Sequence, residues 1–363
     1  MKILIACTQY PYHGGAATNS YALIKALRSR GHTVCGVFFE SSNANCDPDS
    51  IGGIIKAPSG RFSANSLRLK IRGVLGGQPD VMLSKNYVAP IYCKKIFPKI
   101  KNIYLVSGSP LMRPLSKAKI SAVRFLKGDN AAKKIRLDKN IESSEKLAIR
   151  NSDGILLNSK VSKDVFLKTY PKHFLSKCKI SSPINTSIIV NKNCKKNQKE
   201  FRKRDIDIAF ICSNLSRTVK NASFAKDVFK QSVLDKKAKL VVGQGCRAFE
   251  GLPNVIVKNK TKNENIIKYL GRTRLVICPS YFDASPNIIN EAIASGCNVL
   301  VSNNCGWSEK YNKRSVCRDV YDAKKWASMA IYLCNNEIVY NDFCTKKQVL
   351  DKIEKFIYEV KKR

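Results

Sequence analysis

The chain has 363 residues, 44% of them hydrophobic and 25% charged, an ordinary composition for a globular protein and enough length for two domains with separate cores. Its 65 Lys and Arg against 27 Asp and Glu give a formal net charge of +38, which favours phosphate-rich partners. No apolar run approaches the ~20 residues of a membrane-spanning helix, and the 14 cysteines contain no C-x-x-C pair, so neither a zinc site nor a redox motif is indicated.

Scattered cysteines point to reduced thiols and a cytoplasmic protein. The opening MKILIACTQYPY has one Lys and a short apolar run, which suits a first β-strand better than a signal peptide. Strands are predicted at 2–7, 33–39, 80–84, 102–107 and 154–158. A helix near 18–30 carries Tyr21, Leu23, Ile24 and Leu27 at spacings of three and four and stops at Gly31. The alternation is βαβ grammar and implies a parallel sheet. It breaks at 191–204, NKNCKKNQKEFRKR, a run of seven basic residues and one acid that reads as a linker. Strands resume near 206–212, 239–243, 254–258, 274–278 and 297–302. The expected organisation is an α/β chain of two tandem Rossmann-like domains, 1–190 and 205–340, with a crevice between them. Residues 341–363 form a C-terminal helix able to pack back on the first domain.

Doubly wound domains bind ligands beyond the carboxyl ends of their strands, so three post-strand loops carry the functional expectation. In YFDASPNIINEAIASG, Ser285 is a natural N-cap and Pro286 suits the first helical position. Ile288, Ile289, Ala292 and Ile293 make the buried face, and Gly296 ends the helix. The N–H groups of that entrance favour an anion. Asp283 and Glu291, eight positions apart, would repel a phosphate and are better used as acceptors for hydroxyl groups on either side of it; dipole compensation by Asp283 and a solvated Glu291 is the alternative. The loop SNLSRTVKN sets Arg217 and Lys220 at a second carboxyl edge, where two cations can hold a diphosphate. The loop TQYPYHGGAA places Gly14 and Gly15 at the head of the first helix, where the backbone can come close to a ligand, or simply make a tight turn.

These loops, in this order, resemble the GT-B glycosyltransferases, and in particular the large retaining family 4. The likeness rests on YPYHGG with SRGHTV, on SNLSRTVKN, and on the acid pair running into EAIASG; AIRNSDGILLNS and AKLVVGQG extend it over most of the chain. It implies that Arg217 and Lys220 hold the donor diphosphate, that Glu291 holds the ribose and Asp283 faces the transferred sugar, and that the backbone of Ser285, Pro286, Asn287 and Ile288 touches sugar and phosphate. Three positions depart from the family pattern. Asp283 stands where Glu is usual, the basic loop is one residue longer than the commonest form, and in YLVSGSP Ser107 replaces a His that commonly contacts the donor sugar. The implied activity is a metal-independent, retaining transfer of a sugar from a UDP- or GDP-sugar to a glycan, lipid-linked or other anionic acceptor, with no cofactor. His13, beside Gly14, is the one histidine in a candidate loop, and is read as structural before catalytic.

Two other classes fit parts of the sequence. GQGCRA, from Gly243 to Ala248, fits a dinucleotide fingerprint, but Gly251 and Pro253 leave no room for the crossover helix an NAD-dependent oxidoreductase needs. Gly243 is instead a turn near the nucleotide. A nucleic-acid-binding or DNA-modifying protein would use the positive charge, yet that charge is dispersed and no zinc-finger or RNP pattern accompanies it. Stretches 61–75 and 111–127 interleave Arg and Lys with aliphatics, which suggests peripheral contact with an anionic membrane or acceptor.

Overall fold

The computed structural model describes residues 1–8, 15–40, 52–58, 62–106, 139–170, 176–181, 199–340 and 346–363. They form two compact units, one drawn from 1–114, 135–185 and 344–363, the other from 186–343.

The first unit holds β1 (Lys2–Cys7), α1 (Gly15–Arg28), β2 (Thr33–Glu40), β3 (Ile54–Pro58), α2 (Ala64–Leu75), β4 (Val81–Lys85), α3 (Ala89–Ile96), β5 (Asn102–Val106), α4 (Lys139–Arg150), β6 (Gly154–Leu157), α5 (Lys160–Thr169) and β7 (Cys178–Ile180). Its described strands make one parallel sheet in the order β3-β2-β1-β4-β5-β6-β7. Strands covered on both faces should be continuously apolar, and Ile3, Leu4, Ile5, Ala6 and Cys7 are all buried. The stripe on α1 does what its spacing predicts, since Tyr21, Leu23, Ile24 and Leu27 are buried. Gly31 closes the helix at φ +82°, donating to the Arg28 carbonyl. On α2, Leu67, Ile71 and Leu75 face the core while Leu69, Lys70 and Arg72 are exposed.

The final helix, α10 (Lys346–Lys362), belongs to this unit. Gly154 is why it can approach β6: a Cβ there would lie 2.7 Å from Val360 Cγ2 and 3.0 Å from the Phe356 ring. Polar contacts flank the apolar seam, with Arg30 bonded to Asp351 at 2.8 Å, His32 Nε2 to Glu354 at 2.9 Å and Lys361 to Asp80 at 2.9 Å.

The second unit repeats the plan with β8 (Ile206–Asn214), α6 (Ala222–Phe229), β9 (Lys239–Gln244), β10 (Val255–Lys258), α7 (Asn263–Leu270), β11 (Thr273–Cys278), α8 (Asn287–Ala294), β12 (Asn298–Ser302), β13 (Val316–Cys317) and α9 (Ala323–Asn335). Its described strands pair in parallel in the order β10-β9-β8-β11-β12-β13. Each sheet thus has the doubly wound order, and strand order reverses between β1 and β4 and between β8 and β11. Ligands of such sheets bind beyond the carboxyl ends of the strands at that reversal.

Three strands were not predicted. β3 is a short edge strand ending in Pro58, β7 has three residues and β13 two, too few for a period-two pattern to register. The basic run 191–204 lies partly outside the described residues, but its last member is not solvated. Arg204 is buried and donates to the carbonyls of Lys199, Thr273 and Ser295 at 3.1, 2.6 and 3.0 Å. Gly243 to Ala248 opens no crossover helix: a 3-10 turn at Cys246–Phe249 is followed by Gly251 at φ +79° and then by β10.

Candidate functional site

The reversal in the second sheet brings together the loops after β8 and β11. At the end of β8, Asn214 Oδ1 accepts from the backbone N and hydroxyl of Ser216 at 2.9 and 2.6 Å and turns the chain. A 3-10 turn, Thr218–Lys220, follows. Asn221 then enters the left-handed region at φ 55°, which Asn tolerates better than most residues, and α6 begins. Its side-chain amide donates to the Pro279 carbonyl at 3.1 Å, and Tyr281 N donates to the Val219 carbonyl at 2.9 Å. The two loops are therefore laced together, and Lys220 meets Asp283 in a direct ion pair. The side chains are 18% and 17% exposed. Burial works against the Lys220 charge, but the charges of Asp283, Cys278 and Cys212 more than offset it and hold its pKa above the ordinary lysine value. It is a cation throughout the neutral range.

Asp283 is fixed from three sides. Its Oδ2 takes Lys220 and its Oδ1 accepts from Ser285 N at 3.2 Å. Its backbone bridges to the loop after β12, with Asp283 N donating to Asn304 O at 3.2 Å and Gly306 N to Asp283 O at 2.7 Å. The helix entrance differs by one residue from the expectation. Pro286, not Ser285, is the N-cap, α8 starts at Asn287, and no side chain caps it. Asp283 takes the Ser285 backbone N–H, and the Ser285 hydroxyl is buried with no partner. The first N–H groups of α8 are thus left without a side-chain acceptor.

Glu291, on the second turn of α8, is neither well solvated nor paired: among the described residues nothing bonds its carboxylate, and burial pushes its pKa up to about 7. A half-buried acid without a donor is an open acceptor site. Asn287 is half-buried, and Ile288 packs against the core of this unit. Arg217 is exposed and does not join the Lys220–Asp283 pair. Gly243 is required by the close approach of β8 and β9, because a Cβ on it would lie 1.9 Å from the Cys212 carbonyl oxygen. Gly15 opens α1 in the other unit. His13, Gly14 and Ser107 lie outside the described residues, as does 111–127.

Sequence reasoning missed the thiols of Cys212 and Cys278 beside Lys220 and that of Cys305 against Cys278. They come from the ends of β8 and β11 and the loop after β12, and no local spacing links them.

Residues 206–336, which span this sheet and its loops, match the family model described as glycosyl transferases group 1. Solved structures align along nearly the whole chain. Sucrose-phosphate synthase from Thermosynechococcus elongatus matches with a TM-score of 0.66 at 12% identity, over 99% of this chain and 98% of that one. HepE from Anabaena, solved with UDP and glucose, gives 0.65 at 13%, over 99% and 100%. The lipopolysaccharide outer core galactosyltransferase WaaB gives 0.62 at 15%, over 98% and 95%. No curated protein sequence matches. The fold is that of the GT-B glycosyltransferases, with two Rossmann-like domains, and the second domain carries the glycosyltransferase group 1 signature.

Proposed function

We propose that the protein is a retaining glycosyltransferase of the family 4 type that moves a sugar from a UDP- or GDP-sugar to a glycan, lipid-linked or other anionic acceptor. The observation that carries this reading is the convergence at one sheet edge of a fixed cation, an uncapped helix entrance and two unsatisfied acceptors, within the segment that matches the family model.

The donor diphosphate accepts from the free N–H groups of α8 and from Lys220, which exchanges part of its contact with Asp283 for phosphate oxygens. Arg217, already exposed, swings to the outer phosphate. Glu291 accepts from the ribose hydroxyls, and Asp283 and Ser285 face the sugar. Negative charge grows on the leaving phosphate as the glycosidic bond breaks, so Lys220 stabilises the transition state more than the ground state. The leaving phosphate receives the acceptor proton on the same face. Gly14, Gly15 and Gly243 are assigned to donor binding, and His13 and Ser107 to the acceptor or sugar side. HepE, solved with UDP and glucose, supports UDP as the first nucleotide to try. A thermal-shift series with UDP, GDP, ADP and the corresponding monophosphates tests the reading. One diphosphate should stabilise the fold well beyond its monophosphate, and a protein indifferent to all three refutes it.

A further inference from the structure

Directly beneath the loop of Asp283 lie two thiols whose sulfurs are 3.7 Å apart. Cys278 is the last residue of β11 and leads into the 279–286 loop. Cys305 belongs to the loop after β12 and is the backbone bridge partner of Asp283. Both are buried, at 4% and 0% exposure. Ser280 lies 3.4 Å from the Cys278 sulfur and Ser302 3.5 Å from that of Cys305, so each thiol has a polar neighbour besides the other thiol.

We infer that Cys278 and Cys305 are a redox modification site, a dithiol that a hydroperoxide closes to a disulfide, loosening the nucleotide site above it. The site is asymmetric in the way such chemistry needs. The hydrogen bond from Cys305 lowers the Cys278 pKa despite burial, with further help from the Lys220 charge, while donating that bond in a buried position raises the pKa of Cys305. Cys278 is therefore the nucleophile and Cys305 the resolving thiol. The Cys278 thiolate attacks one peroxide oxygen, the O–O bond breaks, and the other oxygen leaves as water or an alcohol once protonated. The Cys305 sulfur then attacks the sulfenic sulfur, the S–O bond breaks, and a second water leaves with the Cys305 proton. Two electrons pass from the thiols to the peroxide, and two thiols plus one hydroperoxide give one disulfide, one alcohol or water, and one water.

The structural consequence follows from the bridge. A disulfide sets its sulfurs ~2.0 Å apart, so closure from 3.7 Å must draw the sulfurs together by about 1.7 Å. Residues 304 and 306 hold the backbone of Asp283 on both sides of Cys305, so a shift of this loop moves Asp283 against Lys220. Oxidation also removes the thiolate of Cys278 from the neighbourhood of the Lys220 charge.

The experiment treats the fully reduced protein with hydrogen peroxide, blocks remaining thiols and maps peptides by mass spectrometry, with and without dithiothreitol. The expected product is a Cys278–Cys305 linked peptide, lighter by two hydrogens and reversed by dithiothreitol. In Cys305→Ser it should be absent, with Cys278 trapped by dimedone as the sulfenic acid; Cys278→Ser should lose both products. Recovery of Cys278 and Cys305 as free thiols, or linked to other cysteines, overturns the site. The consequence for the nucleotide rests on the glycosyltransferase reading and is read separately, as UDP or GDP affinity at least threefold weaker in the oxidised protein than in the reduced one. Equal affinity overturns the coupling. A disulfide that forms in a protein bound by no nucleotide in either state upholds the modification site and counts against the donor reading instead.

Discussion

Glu291 offers a test in which the sign and size of the effect come from one side chain. Burial raises its pKa from 4.5 to about 7, and no donor compensates. In the unfolded chain the same carboxyl ionises near its ordinary value, so below about pH 4.5 it is protonated in both states and contributes nothing to pH dependence. Between about pH 4.5 and 7 the unfolded chain releases the proton while the folded protein keeps it, and stability falls as pH rises. Above pH 7 both are ionised and the penalty is complete. A rise from 4.5 to about 7 corresponds to about 3 kcal/mol, and partial contact with solvent reduces the expected measured value to about 2 kcal/mol. Glu291→Gln keeps the shape and removes the titration. Urea denaturation of both proteins at pH 5 and pH 8 should show a small difference at the lower pH, and a variant about 2 kcal/mol more stable at the higher. The gain in stability should come with a loss of function. Ribose hydroxyls donate to the ionised carboxylate, so nucleotide affinity should rise through pH 7 in the wild type relative to the variant. A stability difference that is the same at both pH values would refute the claim that Glu291 is an unpaired, desolvated acid.

Lys220→Ala should lower turnover about 100-fold, on the order of 3 kcal/mol, with a smaller loss of donor binding, because its charge matters most as the leaving phosphate develops; steady-state kcat and KM on folded protein check this. Gly243→Ala places a Cβ against the Cys212 carbonyl at a φ of +146°, so it should cost about 3 kcal/mol or more in chemical denaturation, whereas alanine at Gly31, with open space around it, costs only the strain of its positive φ, about 1 kcal/mol. Arg204→Ala removes the donor to three carbonyls and should destabilise the protein by about 3 kcal/mol, well beyond the effect of Arg272→Ala in the exposed pair with Asp205, which should stay within about 1 kcal/mol.

Most of the fold was legible because buried parallel strands write themselves as aliphatic runs. KILIAC, IDIAFICSN and TRLVIC are flanked by polar loops, and their burial matches their pattern. The edges were not legible, since β7 and β13 are shorter than the pattern that would reveal them. At the site, Lys220 and Asp283 were individually visible as charged residues in post-strand loops, but their pairing depends on backbone bonds from Tyr281 to Val219 and from Asn221 to Pro279, which no spacing encodes. The helix start was misread by one residue for a related reason. Ser285 looks like an N-cap until Asp283 takes its backbone N–H and leaves Pro286 at the cap position. The basic run ending at Arg204 read as a linker because composition cannot show that one guanidinium finds three carbonyls. The thiols of Cys212, Cys278 and Cys305 gave no signal at all, being 27 residues apart in one case and 66 in the other, from Cys278 to Cys305 and to Cys212.

The most direct measurement incubates the purified protein with UDP-, GDP- and ADP-sugars without acceptor and follows release of the nucleoside diphosphate. Enzymes that activate a sugar at its leaving phosphate pass it slowly to water, so one donor should be hydrolysed by the wild type and about 100-fold more slowly by Lys220→Ala. If the folded wild type cleaves none of them, or if Lys220→Ala cleaves a donor as fast as the wild type, the cation at the edge of β8 and β11 does not bind the departing phosphate.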